Sequence, residues 1–363
     1  MCPEHNRYEL SVIVPTLNEA ALIDALLRSL ADQRGPNLEV LICDGGSTDA
    51  TVEKALDIAV ELPFPLRVIT GEKGRGRQMN AGVRAAQGEY LLFLHADSLF
   101  PDQQALSTAL KTLQQEIEET GGHLIAGRFR LLFRRTATTS SFFYYYLECK
   151  ARLDRVGCTH GDQGFLLSRA LFMEAGPFDE SCTVLEDTRF AETVRRTGRW
   201  LLFGPEIVTS ARRYETEGAA KRQILNAVIM ALDAVGRDDM IRELPGIYSA
   251  QKGYGQLRLL PFLQRISRML ADMPWRKRVI FWQGIGGCMV RNAWQPAFAL
   301  DVSRNFRKGL LPGRGEEVWL RRSDRLPPGL LASPPVKLAA ACMAWFLFRC
   351  IMLFSGRKGL GTS

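Results

Sequence analysis

Tyr90-Leu91-Leu92-Phe93-Leu94-His95-Ala96-Asp97 is an apolar run of five residues closed by His-Ala-Asp. Such a short run, with no helical period, reads as a buried strand. An acid just past a strand sits at the carboxyl edge of a sheet, where open α/β folds bind ligands. A carboxylate there can hold a divalent cation, and the cation a phosphate. Pro101 and Asp102 follow closely, so a helix cap accounts for the same residues. Taken alone, the run fits both readings.

Working outward, strand-like and helix-like patterns alternate. Strands are expected at Leu10–Val14, Leu38–Cys43, Leu66–Ile69 and Tyr90–Leu94, with helices at Asn18–Gln33, Thr48–Leu62 and Gln78–Gln87 between them. This order predicts an α/β fold: a Rossmann-like, mostly parallel sheet with helices on both faces. A helix at Gln103–Glu119, a strand at Leu124–Phe133 and the aromatic run Phe142–Tyr146 follow. The Gly/Pro/Tyr-rich stretch Leu244–Gln256 reads as a linker. The expected organisation is therefore a catalytic-type domain over 1–230, a helix and linker over 231–256, and a basic, mainly helical C-terminal region over 257–363.

Polar clusters close several of these strands. Pro15, Thr16, Asn18 and Glu19 follow the first, able to line a pocket and to start a helix. In CDGGSTD (Cys43–Asp49), Ser47 and Thr48 suit a helix start, which leaves Asp44 for a ligand. A carboxylate there suits the N–H donors of a nucleobase. The loop Lys73-Gly74-Arg75-Gly76-Arg77-Gln78-Met79-Asn80 enters a helix and suits phosphate through backbone amides, helix dipole and guanidinium forks. It matches neither the dinucleotide fingerprint nor the P-loop, against a dehydrogenase or a P-loop ATPase. With these neighbours, Asp97 falls where a metal-bound diphosphate would lie, and His95 is either a second ligand or a half-buried structural histidine. Glu186 and Asp187 open another helical run. Gly161-Asp162-Gln163-Gly164 upstream and Arg199-Trp200 downstream are candidates to frame an acceptor site.

PTLNEA, CDGGSTDAT, QMNAGVRAAQGEYLLFLHAD, GDQG and VLEDTRF, in this order, resemble a family 2 glycosyltransferase with the GT-A fold over roughly residues 9–220. HAD, GDQG and SARRYETEG resemble a bacterial subgroup labelled arsenosugar-biosynthesis glycosyltransferases. The resemblance implies inverting transfer of a sugar from a nucleotide-diphosphate sugar, typically a UDP-sugar, with a divalent cation (manganese or magnesium) as cofactor. It implies nucleotide contacts at Pro15, Thr16, Asn18, Glu19, Asp44, Arg75, Arg77, Asn80, Ala96 and Asp97. It implies metal binding at Asp97 with His95, a catalytic base at Asp187 with Glu186 beside it, and acceptor-side roles for Gly161, Asp162, Gln163, Arg199 and Trp200. His95 replaces the usual first acid of the metal motif, and Arg196 replaces the Gln of QxxRW, against a processive polymerase. The alternatives are a nucleotidyltransferase, which would release pyrophosphate, and a non-catalytic, membrane-bound nucleotide scaffold.

Charge separates the two ends of the chain. The net charge is +8; residues 252–363 carry +14 and the first 251 carry −6. A basic tail points to an anionic partner or to docking on the acidic part. Trp275, Trp282 and Trp294 sit among apolar residues, so no nucleic acid is expected and an anionic membrane surface is. Leu257–Met273 is a basic amphipathic stripe, suited to a membrane interface or to covering its own domain. Leu338–Phe354 is apolar but for Arg349, at the short edge of transmembrane length, and reads as surface attachment or re-entry. The eight cysteines form no CxxC pair, and MCPEHNRYEL lacks the apolar core of a signal peptide. The expectation is a cytoplasmic protein at the inner face of a membrane, with a lipid-linked acceptor one candidate.

Overall fold

The computed structural model describes residues 8–136, 141–251, 255–331 and 333–357. Two units divide the chain: Met1–Arg135 with Leu147–Ser210, and Thr136–Tyr146 with Ala211–Ser363. The division falls after Ser210, ahead of the boundary at 230 read from the sequence.

The first unit is built on strands β1 (Tyr8–Thr16), β2 (Leu38–Asp44), β3 (Leu66–Thr70), β4 (Gly88–Phe93), β5 (Ile125–Arg134), β6 (Phe165–Ser168) and β7 (Arg199–Ser210). Their order is β3-β2-β1-β4-β6-β5-β7. Only β6 runs antiparallel to its neighbours β4 and β5; the other pairings are parallel. The helices are α1 (Ile23–Ala31), α2 (Thr51–Ala59), α3 (Arg75–Ala85), α4 (Ala105–Thr120), α5 (Phe142–Lys150), whose residues up to Tyr146 belong to the second unit, α6 (Arg169–Ala175) and α7 (Glu186–Thr197).

Two cores cover the two faces of the sheet. Alternate residues of each strand point to opposite faces. Val12, Val14, Leu92 and Leu94 accordingly pack with Leu26, Leu27 and Leu110 of α1 and α4. Ile13, Leu91 and Phe93 pack on the other face with Met79, Phe172 and Phe190 of α3, α6 and α7. Burial on both faces explains the nearly continuous apolar runs. The register pairs Thr16 with Asp44, so β1 and β2 end together. Chain order reverses at β1, which lies between β2 and β4, and this topological switch opens a crevice at the carboxyl edge.

The second unit is helical: α8 (Arg212–Glu217), α9 (Ala219–Ala234), α10 (Asp238–Ser249), α11 (Leu260–Ala271), α12 (Trp275–Arg291), α13 (Trp294–Arg307), α14 (Val318–Asp324), α15 (Pro328–Leu331) and α16 (Pro334–Arg357). The expected linker is in part helix, since α10 continues through Pro245 to Ser249. The amphipathic stripe becomes α11, and its Phe262, Leu263, Ile266 and Leu270 are buried. It covers its own unit and leaves no apolar face for a membrane. The aromatic run also packs inside this unit, with Phe142 5.6 Å from the Phe306 ring and Tyr146 5.6 Å from Phe298.

Helix α16 packs in an unusual sense. Its alanines 340, 341 and 344 are buried, whereas Leu338, Phe346 and Phe354 are 57%, 59% and 67% exposed. A Cβ on Gly286 of α12 would lie 2.6 Å from the Ala341 amide, so the two backbones meet at a seam of small residues. Pro334–Ser355 is long and apolar enough to cross a membrane by length and composition.

Candidate active site

At the carboxyl edge, the loops after β1 and β2 are laced together. Asn18 adopts φ 58°. Its side chain accepts the Thr48 amide at 2.8 Å, and its own amide donates to Ser47 Oγ at 2.8 Å. The Glu19 amide donates to Thr51 Oγ1 at 2.8 Å and the Ala20 amide to Asp49 Oδ2 at 3.2 Å. Asp44 is 2% exposed. Its Oδ2 accepts the Gly46 and Ser47 amides, both at 2.9 Å, and its Oδ1 accepts Ser47 Oγ at 2.5 Å and Thr16 Oγ1 at 3.2 Å. Burial pushes its pKa up, but these donors more than offset that and hold the carboxyl below its ordinary value. Asp44 thus shapes the turn with both oxygens. Gln78 of α3 braces the same edge, donating to the Thr16 and Cys43 carbonyls, each at 2.7 Å.

The second half of the site is a group of carboxylates with their cations. Ala96 is buried and Asp97 half-buried past β4, where the Ser210 amide of β7 donates to Asp97 Oδ2 at 3.3 Å. Leu185, at φ 68°, leads into α7, whose first residues Glu186 and Asp187 are buried. Asp187 Oδ2 accepts the Gly161 amide at 2.8 Å and Oδ1 the Thr188 amide at 2.7 Å. Arg75, at the start of α3, reaches Glu186 Oε1 with Nε at 2.6 Å. A Cβ on Gly161 would lie 2.8 Å from Asp187 Oδ2 and 3.0 Å from His95 Nε2. Glycine is therefore required for imidazole and carboxylate to share this corner. His160 joins the group, its Nδ1 2.9 Å from Thr188 Oγ1.

Electrostatics divides these acids. Burial alone would raise Asp187, but Arg75, then His160 and His95, hold it well below the ordinary carboxylate range. Asp162 goes the other way: burial, then the Asp187 and Asp97 carboxylates, push it up to about 7 against the pull of Arg75. Its Oδ1 is buried without a hydrogen-bond partner. An orphaned carboxylate oxygen beside two like charges is a place where positive charge is missing, and oxygen donors suit a hard divalent cation. Among the described residues, no three His, Cys, Asp or Glu side chains gather to hold a metal by themselves. The residues fit a cation that takes one or two carboxylates and completes its shell from substrate phosphate and water.

Asp44, expected to be left for a ligand, and Asn18 are engaged in the turn itself, and five further expected site residues lie elsewhere or are already engaged. Arg77 pairs with Glu72 of its own loop. Asn80 is a buried staple: its amide donates to the Phe178 carbonyl and Glu180 Oε1, both at 2.9 Å, and its Oδ1 accepts the Phe178 amide at 3.0 Å. Gln163 is 1% exposed and held between Arg128 Nη1 at 3.1 Å and the Cys158 carbonyl at 2.8 Å. Arg199 and Trp200 begin β7, in register with Ile125 and Ala126 at the amino end of β5, so they sit at the sheet edge opposite the site. There Arg199 pairs with Glu116, and Trp200 is core, its ring 4.8 Å from Phe165 and its Nε1 donating to the Ala191 carbonyl. The sequence reading missed Gln78, Arg128 and His160. His160 directly precedes GDQG and was open to notice; the partners of the other two are distant in sequence.

The family model described as glycosyl transferase family 2 matches residues 11–174. An uncharacterized glycosyltransferase of Haemophilus influenzae is 35% identical over 108 residues, 29% of this chain and 35% of that protein. The succinoglycan biosynthesis protein ExoA of Rhizobium meliloti is 28% identical over 199 residues, 52% of this chain and 58% of that protein. The chain thus spans between about a third and three-fifths of these relatives. Among solved structures, the mannosyltransferase PcManGT from Pyrobaculum calidifontis, in complex with GDP-Man and Mn2+, aligns with a TM-score of 0.48 and 20% identity, covering 98% of this chain and 88% of that one.

Proposed function

We propose that the chain, whose residues 11–174 match the family model described as glycosyl transferase family 2, moves a sugar from a nucleotide-diphosphate sugar, UDP-linked first among the candidates, to an acceptor hydroxyl with inversion. The observation that carries the reading is Asp187: a buried carboxylate kept ionised by Arg75, at the carboxyl edge where the Asp44 turn and Asp97 also lie. Pro15, Thr16, Asn18, Glu19 and Asp44 form the nucleoside side, their loops held by the hydrogen bonds that lace them together. Ala96, Asp97 and Arg75 take the diphosphate side. Asp97, with His95 and Asp162 beside it, would hold a manganese or magnesium ion, which would supply positive charge to the leaving diphosphate. Asp187 accepts the acceptor hydroxyl proton as the new bond from that oxygen to the anomeric carbon forms and the bond from the anomeric carbon to the diphosphate oxygen breaks. Arg75 shifts its charge from Glu186 and Asp187 toward the diphosphate, which raises the basicity of Asp187 when it is needed.

The second unit supports a membrane setting at the cytoplasmic face. A helix whose large apolar side chains point outward, in a region of net charge +14, suits an anionic bilayer surface. A lipid-linked acceptor follows from that setting. The test is thermal stability with UDP, GDP, CDP and dTDP, with and without manganese, followed by product analysis. A manganese-dependent rise with one nucleotide and release of that nucleoside diphosphate support the reading; release of pyrophosphate refutes it. Asp187→Asn should lower transfer about 10²–10⁴-fold; a folded Asp187→Asn protein with full transfer would sink the assignment.

A further inference from the structure

The second unit contains a groove of about 1020 Å³ along α12. Lys277, Phe281, Gly284, Gly287 and Arg291 line it at helical spacing, a stretch of about 21 Å at 1.5 Å per residue. Val235, beyond α9, forms part of the facing wall, and Lys337 of α16 also lines it. The lining is mainly glycine and apolar, with Gln283 among it, and Lys277, Arg237, Arg291 and Lys337 make it basic. Lys277, Arg291 and Lys337 have no ion pair among the described residues, and the lining contains one acid, Asp272. The Lys337 backbone and the Arg291 side chain both lie against the Gly286–Gly287 stretch of α12. A Cβ on Gly286 would lie 2.8 Å from the Lys337 carbonyl, and one on Gly287 3.7 Å from Arg291 Nη1.

We propose that this groove binds one anionic membrane phospholipid, with its phosphate at Arg291 and Lys337 and an acyl chain along Gly287, Gly284 and Phe281. The inference rests on the membrane setting proposed above and adds a defined lipid site to it. Two unpaired cations at one end of a trough match a phosphate at one end of a chain. The trough opens beside Lys337, where α16 begins to expose Leu338 and the large apolar residues after it. A soluble anion would leave the apolar floor unfilled. Single-stranded nucleic acid calls for a continuous basic track with stacking faces, whereas here Lys277 stands apart from Arg291 and Lys337 across a mainly apolar floor.

The test uses the full chain in a neutral detergent and native mass spectrometry with phosphatidylglycerol and phosphatidylcholine. One phosphatidylglycerol should be retained in preference to phosphatidylcholine, and millimolar inorganic phosphate should not displace it. The double variant Arg291→Gln, Lys337→Gln should bind it more weakly by about fivefold for each cation. Gly287→Leu fills the floor without changing charge; position 287 meets nothing nearer than Arg291, so this variant should fold and lose the lipid. Equal retention of the two lipids, displacement by phosphate, or wild-type retention by a folded Gly287→Leu protein would each overturn the groove. Flotation on phosphatidylglycerol vesicles is read separately: a chain that floats but holds no lipid rejects the groove and keeps the membrane setting, and one that does not float rejects that setting.

Discussion

Gly161→Ala places a single methyl group where the site has no room. Its carbon would sit 2.8 Å from Asp187 Oδ2, 3.0 Å from His95 Nε2 and 3.1 Å from Asp187 Cβ. Comfortable carbon contacts begin near 3.5 Å, so the carboxylate must retreat by about 0.7 Å. It cannot do so freely, because Oδ2 accepts the Gly161 amide and Oδ1 the Thr188 amide. The strain should cost about 1–3 kcal/mol of stability, the range for overpacked interiors. A displacement approaching 1 Å in a group that must meet a reacting atom costs about 10²-fold in rate. The expected result is kcat lower by about two orders of magnitude, with nucleotide affinity near that of the wild type, since the laced loops are untouched. Steady-state transfer at saturating donor measures the first quantity, calorimetric titration with the nucleotide the second. Wild-type kcat in a folded Gly161→Ala protein would refute the crowded corner and the role given to Asp187 within it.

Other outcomes follow from the same geometry. Asp162 has its pKa raised to about 7, above the roughly 3.9 of an unfolded chain. Its contribution is most favourable below pH 4 and is lost as pH rises toward 7; Asp162→Asn should therefore raise the thermal midpoint at pH 8 without divalent cation, and manganese should shrink the gain. Asp187 has the opposite sign: its depressed pKa gives stability that is present above pH 4 and is lost as pH falls through the folded value, a difference that acid titrations of wild type and Asp187→Asn measure. Asn80→Ala removes three hydrogen bonds and leaves the buried Phe178 amide unpaired, at about 2–3 kcal/mol in urea unfolding. Trp200→Ala should cost about 3–5 kcal/mol as a core truncation yet leave acceptor KM unchanged; a selective rise in acceptor KM would return Trp200 to the site.

Legibility in the sequence followed burial. β1, β2 and β4 are covered on both faces, so their apolar runs mark them to within a few residues. β6 is four residues long and sits against GDQG, so a reading alert to polar turns passes over it. β7 contains Gly204 and Pro205, which argue against a strand. The structure absorbs them where the register slips between Arg128 and Arg130, a bulge that carries the extra residues. The placement of Asp97 past β4 and of Asp187 at the start of α7 was legible because acids at a strand end or a helix start are conspicuous. The Arg75 contact to Glu186 was not, because nothing local encodes a pairing across the fold. Arg-Trp at 199–200 looks like a site motif, but a large ring at the start of a buried strand is taken by the core.

The lacing of the first two loops separates two kinds of inheritance. Asn18, Ser47, Thr48, Asp49 and Thr51 grip one another's backbones and side chains across the gap. Neighbouring positions can therefore change without redrawing the frame that presents them. A lineage carrying this frame can alter which ligand it accepts by single exchanges at facing positions, while mutations in the lacing residues remove the frame for every ligand alike. Variation among descendants should accordingly gather on the rim of the crevice and thin out along the stitches.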